Sequence, residues 1–138
     1  MSSDLDRVVK FINKHHVMSL ATSVDDDLSI CSLFYVYDEK SNCFIVASSE
    51  DTKHIKNIKQ NEKVALNILL ETKEVGKIQG LQVGASFKKL DDISLKKLYF
   101  FKFPYALAMN PQLWKIDVKN FKYTDNRLGF SKKIKIEF

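Results

Sequence analysis

The chain is poor in the residues that punctuate or staple a polypeptide: four Gly, two Pro and two Cys in 138 positions. So little Gly and Pro leaves no room for linkers or low-complexity tracts, and the length suits one domain spanning 1–138 that buries roughly two thirds of its unfolded surface. Cys31 and Cys43 lack the paired spacing of a metal site. If Leu28 to Tyr37 and Asn42 to Ser49 form a hairpin around Asp38 to Ser41, Cys31 falls near Ser48 and Cys43 near Val36. The sulfurs then lie roughly 15 Å apart at about 3.3 Å per residue, so both are expected to be reduced strand residues.

Other absences exclude whole classes. No run approaches the roughly 18 apolar residues of a membrane span, and the N-terminal MSSDLDRVV is acidic and has no apolar signal core. No membrane association and a cytoplasmic location are the expectations. Arginine is confined to Arg7 and Arg127, so the net charge of +5 is carried by lysines spread along the chain. Base readout favours Arg, and no recognition motif is present, so nucleic acid is not an expected partner. There is no Gly-x-Ser-x-Gly elbow, Walker loop or dinucleotide Gly fingerprint. No residue is therefore assigned a catalytic or metal-ligating role.

What is present is a strand-rich pattern. Ser3 to Asn13 reads as a helix with Leu5, Val8, Val9 and Ile12 on one stripe and Ser3 with Asp6 as a capping box. Strands are expected at Val17 to Val24, Leu28 to Tyr37 (with Leu28, Ile30, Ser32, Phe34 and Val36 on one face), Asn42 to Ser48, Lys63 to Glu71, Lys77 to Leu90 and Leu113 to Tyr123. Gly80 and Gly84 inside the fifth suggest strong coiling. A helix is expected at Asp91 to Phe103, stopped by Pro104; its wide apolar set of Ile93, Leu95, Leu98, Tyr99 and Phe101 suggests more than one packing partner. Pro104 to Met109 reads as a further helical turn, and Ile134, Ile136 and Phe138 alternate with charges like a strand. Direct hairpins rather than crossover helices point to a mainly β (α+β) fold, a six-stranded antiparallel split β-barrel with flanking helices.

One stretch carries chemistry. Asn42 to Leu66 runs as a strand, breaks at Ser48 and Ser49, turns through Thr52 and Lys53 into a basic helix, and resumes as a strand. Hydroxyls, the free N–H groups of a helix start and a lysine suit a phosphate. The same residues equally suit an ordinary helix cap, and Lys53, Lys56 and Lys59 the wet face of a helix whose Ile55 and Ile58 face the core.

The order of elements and this strand, hydroxyl turn and helix resemble the pyridoxamine 5'-phosphate oxidase-like FMN-binding split barrels. Within them, the string Thr124-Asp125-Asn126-Arg127-Leu128-Gly129-Phe130-Ser131-Lys132-Lys133 is similar to the signature of a small bacterial group. The segment F-Y-V-Y-D at Phe34, and Phe103-Pro104 followed by a short apolar turn and Trp114, fit the same group. The resemblance implies a homodimer with FMN at the interface and an oxidoreductase that passes electrons, from a pyridine nucleotide or another donor, to a small acceptor. It implies Ser48, Ser49, Thr52 and Lys53 on the FMN phosphate, with Ser32, Leu33 and Phe34, Val46 and Ala47 beside the flavin ring. Gln79 would face the ring edge or ribityl chain, and Trp114, otherwise a core residue, would approach from the partner subunit. Glu50 and Asp51 are expected to compete for the helix start, and Lys53 offers a point charge where Arg would offer a fork. Relatives of this fold also handle haem, so a non-catalytic haem- or small-ligand-binding protein is the alternative, with His15, His16 and His54 the only conventional nitrogen ligands.

Overall fold

The computed structural model describes residues 3–130 and 132–138. Met1 and Ser2 of the acidic N-terminus and Ser131 of the C-terminal string lie outside the described residues. Helix α1 (Asp4–Lys14) begins where sequence places it, because Ser3 and Asp6 form a reciprocal capping box at 3.1 and 3.2 Å. It buries Val8, Val9, Phe11 and Ile12, while Leu5 stays at the surface.

The strands are β1 (Val17–Val24), β2 (Asp27–Phe34), β3 (Val36–Asp38), β4 (Cys43–Ala47), β5 (Lys63–Leu69), β6 (Gln79–Lys89), β7 (Leu113–Asp125) and β8 (Lys133–Glu137). Helices α2 (Lys53–Gln60) and α3 (Ile93–Lys102) and a 3-10 segment (Pro104–Met109) fill the connections. Every ladder is antiparallel, and the sheet order is β2-β1-β5-β6-β7-β4-β3, with β8 on β7 beyond the end of β4. The expected mainly β split barrel with flanking helices is therefore what forms, but from eight strands rather than six.

The added strands have separate causes. The C-terminal alternation pairs with β7, Ile134 opposite Tyr123 and Ile136 opposite Phe121. The expected second strand breaks at Tyr35, whose N–H donates to the His16 carbonyl at 3.0 Å and whose hydroxyl donates to the Ile12 carbonyl at 2.6 Å. β2 and β3 are thus the two ends of the sheet order, yet one residue separates them in the chain. The sheet must curl until its ends meet.

This break also corrects the hairpin expected for the cysteines. β2 pairs with β1, so Cys31 faces Leu20 rather than Ser48, and the shorter β3–β4 hairpin sets Cys43 opposite Asp38 rather than Val36. Both thiols are free.

Two cores result. Phe44 and Val46 of β4 point into the barrel with Leu20, Leu66, Leu81, Phe87, Ile116 and Phe121. Cys43 and Ile45 point outward, where they meet Leu90, Leu95, Tyr99 and Leu113 under α3. Burial on both faces explains why β4 is an unbroken apolar run. α3 buries Leu95 and Tyr99 and packs on β3, β4 and the 3-10 segment, as its wide apolar set suggests, but Ile93 and Phe101 are exposed, Phe101 at 87%. Coiling of β6 is visible as a bulge between Gly84 and Ala85. A Cβ at Gly84 would stand 2.8 Å from Asn120 Nδ2, so any larger residue would displace the Asn120 side chain, whose Oδ1 accepts the Gly84 N–H at 3.1 Å.

Tyr35 is fully buried, so Tyr35→Phe strips the Ile12 carbonyl of its side-chain donor where water cannot replace it. The expected cost is about 1–2 kcal/mol, read as a lower urea midpoint at unchanged slope. An unchanged midpoint would show that this bond does not hold α1 to the strand break.

Candidate functional site

The chain leaves β4 at Ser48, and both backbone groups of that residue are fixed from β7's side. Its N–H donates to the Gln112 carbonyl at 3.0 Å, and its carbonyl accepts from Trp114 Nε1 at 2.9 Å. Trp114, 2% exposed and packed on Phe87, is a core residue whose indole N–H anchors the site from below. Thr52 is the N-cap of α2: its hydroxyl donates to the Ser49 carbonyl at 2.8 Å and accepts the Ile55 N–H at 3.4 Å. α2 is docked by Asn57, whose amide donates to Thr22 Oγ1 at 3.0 Å, and by Asn61, which donates to the Ser23 carbonyl at 3.1 Å.

Three side chains converge at this corner. His54 Nε2 is hydrogen-bonded to Ser48 Oγ and lies 3.4 Å from Thr52 Oγ1. Burial holds the imidazole below its ordinary pKa of 6.5, so it is neutral at pH 7. Among the described residues no protein acceptor faces the backbone N–H groups of Lys53 and His54, the first two of the helix. Those groups carry the positive end of the α2 dipole. Lys53 Nζ stands 3.1 Å from Asp27 Oδ2, with both side chains more than half exposed. Such a pair is worth at most about 1 kcal/mol and yields readily to a better anion.

The expected competition from Glu50 and Asp51 is absent among the described contacts. Thr52 takes the capping position, Glu50 turns to Lys59 at 3.6 Å, and Asp51 is exposed. Sequence reasoning offers His54 only as an iron ligand and misses it here. Its place two residues after the cap is the available signal, because side chains in the first turn lean back toward the helix N-terminus.

The other expected site residues are spread more widely. Ser49 and Ser32 are exposed, Leu33 and Ala47 are half-buried, and the Val46 side chain is buried in the barrel. Phe34 is 57% exposed and stacks on His16 with centroids 6.2 Å apart. Asp27, beside Lys53, and Ser32 to Phe34 lie on the same strand five to seven residues apart, roughly 17–23 Å; only an extended ligand could touch both. Gln79 is not brought to this corner within one chain. It pairs with Asp125 at one end of the β6–β7 ladder, whereas Trp114 pairs with Lys89 at the other, a separation of roughly 30 Å.

A sizeable cavity lies elsewhere and no expected site residue lines it. It is a groove of about 440 Å³ on the outer face of β1, β5 and β6, floored by Ser19, Ala21, Ala65 and Gly84 with Asn67 and Gln82 at its sides. Ile30 forms one wall. Leu28 and Ile30, 78% and 74% exposed, continue its apolar rim toward Phe34. The apolar face of β2 is therefore the outward one, because Cys31 and Leu33 supply the inward contacts. Among the described residues no three His, Cys, Asp or Glu side chains form a metal cluster, and no helix is long and apolar enough to cross a membrane.

The curled antiparallel sheet with its capping helices defines a split-barrel protein of the pyridoxamine 5'-phosphate oxidase-like fold. It superposes on a haem-binding protein from Mycobacterium smegmatis with TM-score 0.80 at 12% identity, over 99% of this chain and 59% of that protein. A FAD-binding protein from Mesorhizobium loti gives TM-score 0.71 at 16% identity, over 87% of this chain and 90% of that one. A pyridoxinephosphate oxidase family protein from Clostridium acetobutylicum gives 0.70 at 13% identity, over 97% and 94%. No family model matches the sequence. By direct comparison, however, it is 37% identical over 130 residues to the UPF0306 protein Cj1449c of Campylobacter jejuni, 94% of this chain and 95% of that protein. It is 32% identical over 133 residues to a UPF0306 protein of Klebsiella pneumoniae, 94% and 90% of the two chains. The chain belongs to the UPF0306 family.

The half-buried imidazoles set a pH response. Both His54 and His15 have folded pKa values below 6.5, chiefly through burial, so the unfolded chain binds protons more tightly than the folded one. Stability contributed by the neutral rings is complete above that value and is lost as pH falls through it. The urea midpoint is expected to drop between about pH 7.5 and pH 5.5, and His54→Gln should flatten part of that drop. An identical slope in the variant would mean that His54 is not held neutral by the fold.

Proposed function

We propose that this UPF0306 protein is a homodimeric flavoprotein that binds FMN and acts as an oxidoreductase toward a small-molecule acceptor, drawing electrons from a pyridine nucleotide or comparable donor. The observation that carries this reading is the α2 corner. Ser48, Thr52 and His54 converge there with two unengaged backbone N–H groups and a weakly committed lysine, a donor set that fits a phosphate ester. Ser48 donates its hydroxyl hydrogen bond, Thr52 turns its hydroxyl from the Ser49 carbonyl to the phosphate, Lys53 exchanges Asp27 for the phosphate, and Ser49 stands at the rim. The edge strand β2, through Ser32, Leu33 and Phe34, and Ala47 at the end of β4 flank the path of an extended ligand. Val46 supports that path only through its backbone. Bound FMN supplies the electron chemistry, which explains why catalytic side chains are scarce.

The dimer reading is supported by the outer groove and its apolar rim of Leu28, Ile30 and Phe34, an unusual strip to leave in water. Gln79, remote within one chain, reaches the cofactor only from the second copy. Ile30→Asp places a charge at the centre of that strip and is expected to shift the protein from dimer to monomer in sedimentation equilibrium without unfolding it. A wild-type monomer at micromolar concentration would contradict the dimer.

A haem-binding role is the second reading. It is favoured by the haem-binding neighbour and by His16, an exposed imidazole stacked on Phe34 beside Phe103. The readings separate in one titration. FMN is expected to bind more tightly than riboflavin, and Lys53→Ala and Thr52→Ala to weaken FMN by about tenfold or more while leaving riboflavin unchanged, since each removes one charge-assisted contact. Equal FMN affinity in the variants would overturn the phosphate corner. No flavin response, together with a haem absorption band lost in His16→Ala, would establish the second reading instead.

A further inference from the structure

The far end of the β6–β7 ladder carries a second polar cavity, of about 210 Å³, between α1 and the turn that follows β7. Its cations are Arg7, Lys10 and Lys14 of α1 and Arg127 of the turn, against the carboxylates of Asp6 and Asp125. Positions 7, 10 and 14 fall on one face of a helix, so α1 aims three charges at one wall.

The acceptors in this cavity are already engaged. Asp125, 2% exposed, accepts from the Arg127 backbone N–H at 3.0 Å, from Nε at 3.0 Å and from Nη2 at 2.8 Å. Those bonds hold its carboxyl below the usual carboxylate range and cancel one positive charge. Gln79 Oε1 accepts from the Tyr123 hydroxyl at 3.0 Å and from Arg127 Nη2 at 3.2 Å. Asp6 accepts the Ser3 N–H in the capping box at 3.2 Å. The donors are not engaged: among the described residues Arg7, Lys10 and Lys14 have no carboxylate partner, and Arg127 Nη1 and the Gln79 amide have no protein acceptor. Arg127 is pinned by Asp125 through Nε and Nη2, so it presents Nη1 as a preorganised donor rather than a flexible surface charge. On the inner side, Phe11 and Tyr123 form an aromatic wall with centroids 5.2 Å apart.

Unspent donors, spent acceptors, a surplus of two positive charges and an aromatic wall describe a receptor for a dianion joined to a small organic body. We propose that this pocket is a second ligand site, one that takes a small phosphorylated metabolite with its phosphate among Arg7, Lys10, Lys14 and Arg127. The site gives the Asp125–Asn126–Arg127 part of the C-terminal string a chemical role, in which Asp125 orients Arg127 and Asn126 ties the turn to the Val75 carbonyl at 2.8 Å. None of its charged donors belongs to the α2 corner, and it shares only Gln79 with the flavin reading, which brings that residue to the cofactor from the second copy. A cavity of finite size, rather than a continuous basic track, favours a small molecule over a nucleic acid.

An NMR titration of the full chain with inorganic pyrophosphate at constant ionic strength, following backbone amides, tests it. Saturable shifts are expected at Arg7, Lys10, Gln79 and Arg127. The midpoint should weaken about tenfold or more in the Arg7→Ala/Lys10→Ala double variant, whose exposed substitutions leave the melting temperature unchanged. Thr52→Ala should leave that midpoint as it is. The proposal is overturned if sodium chloride reproduces the shifts, if the double variant binds as well as the wild type, or if only Ser48 to His54 respond. Citrate binding as tightly as pyrophosphate would overturn the phosphate class, and loss of the response in Thr52→Ala would show one composite site in place of two.

Discussion

A single residue joins the two ends of the sheet, and most of the architecture depends on that constraint. Tyr35 separates β2 from β3, which stand at opposite ends of the strand order, so the eight strands can hydrogen-bond as they do only by curling through a barrel. The break is stabilised because its backbone bonds to His16, just before β1, and its hydroxyl to Ile12 in the last turn of α1. Closing the curl at Tyr35 has two consequences. It lets β4 be buried on both faces, which creates the outer core under α3. It also leaves β2 as an edge strand with its apolar side turned outward.

The α2 corner follows from the same geometry. β4 ends between β7 and the start of α2, where Gln112 and Trp114 hold the Ser48 backbone and Thr52 starts the helix. A neutral imidazole, two hydroxyls and two unengaged helix N–H groups then share one small volume. The electrostatics are those of a poised anion site: the helix dipole favours negative charge, Glu50 is drawn away by Lys59, and the Lys53–Asp27 pair is too exposed to resist replacement. The strand leading away from that corner runs toward the exposed Phe34, which suits a long ligand with a phosphate at one end.

Much of this is legible in the sequence because it rests on local rules. The capping box at Ser3, the N-cap at Thr52, the hairpins and the bend at Gly84 follow from short-range chemistry and strand periodicity. The failures share a different cause. Pairing partners are nonlocal, so the apolar residues from Leu28 to Tyr37 read as one strand, and the register of both cysteines is misplaced with it. The outward orientation of Ile30 cannot be deduced either, since alternation marks two faces of a strand without saying which one is wet. His54 is missed at the corner because its contacts with Ser48 and Thr52 depend on how α2 sits against β4. The pocket around Arg127 is hidden for the same reason, being assembled from α1, β6 and β7.

The central claim is that the α2 corner holds the phosphate of a bound flavin. A crystal structure of the protein with FMN tests it most directly. Phosphate density within hydrogen-bonding distance of Thr52 Oγ1, the His54 N–H and Lys53 Nζ, with Asp27 released from the lysine, is the expected result. Flavin bound with its phosphate elsewhere, against Arg127 for instance, and the Ser48–Thr52–His54 cluster untouched would contradict it.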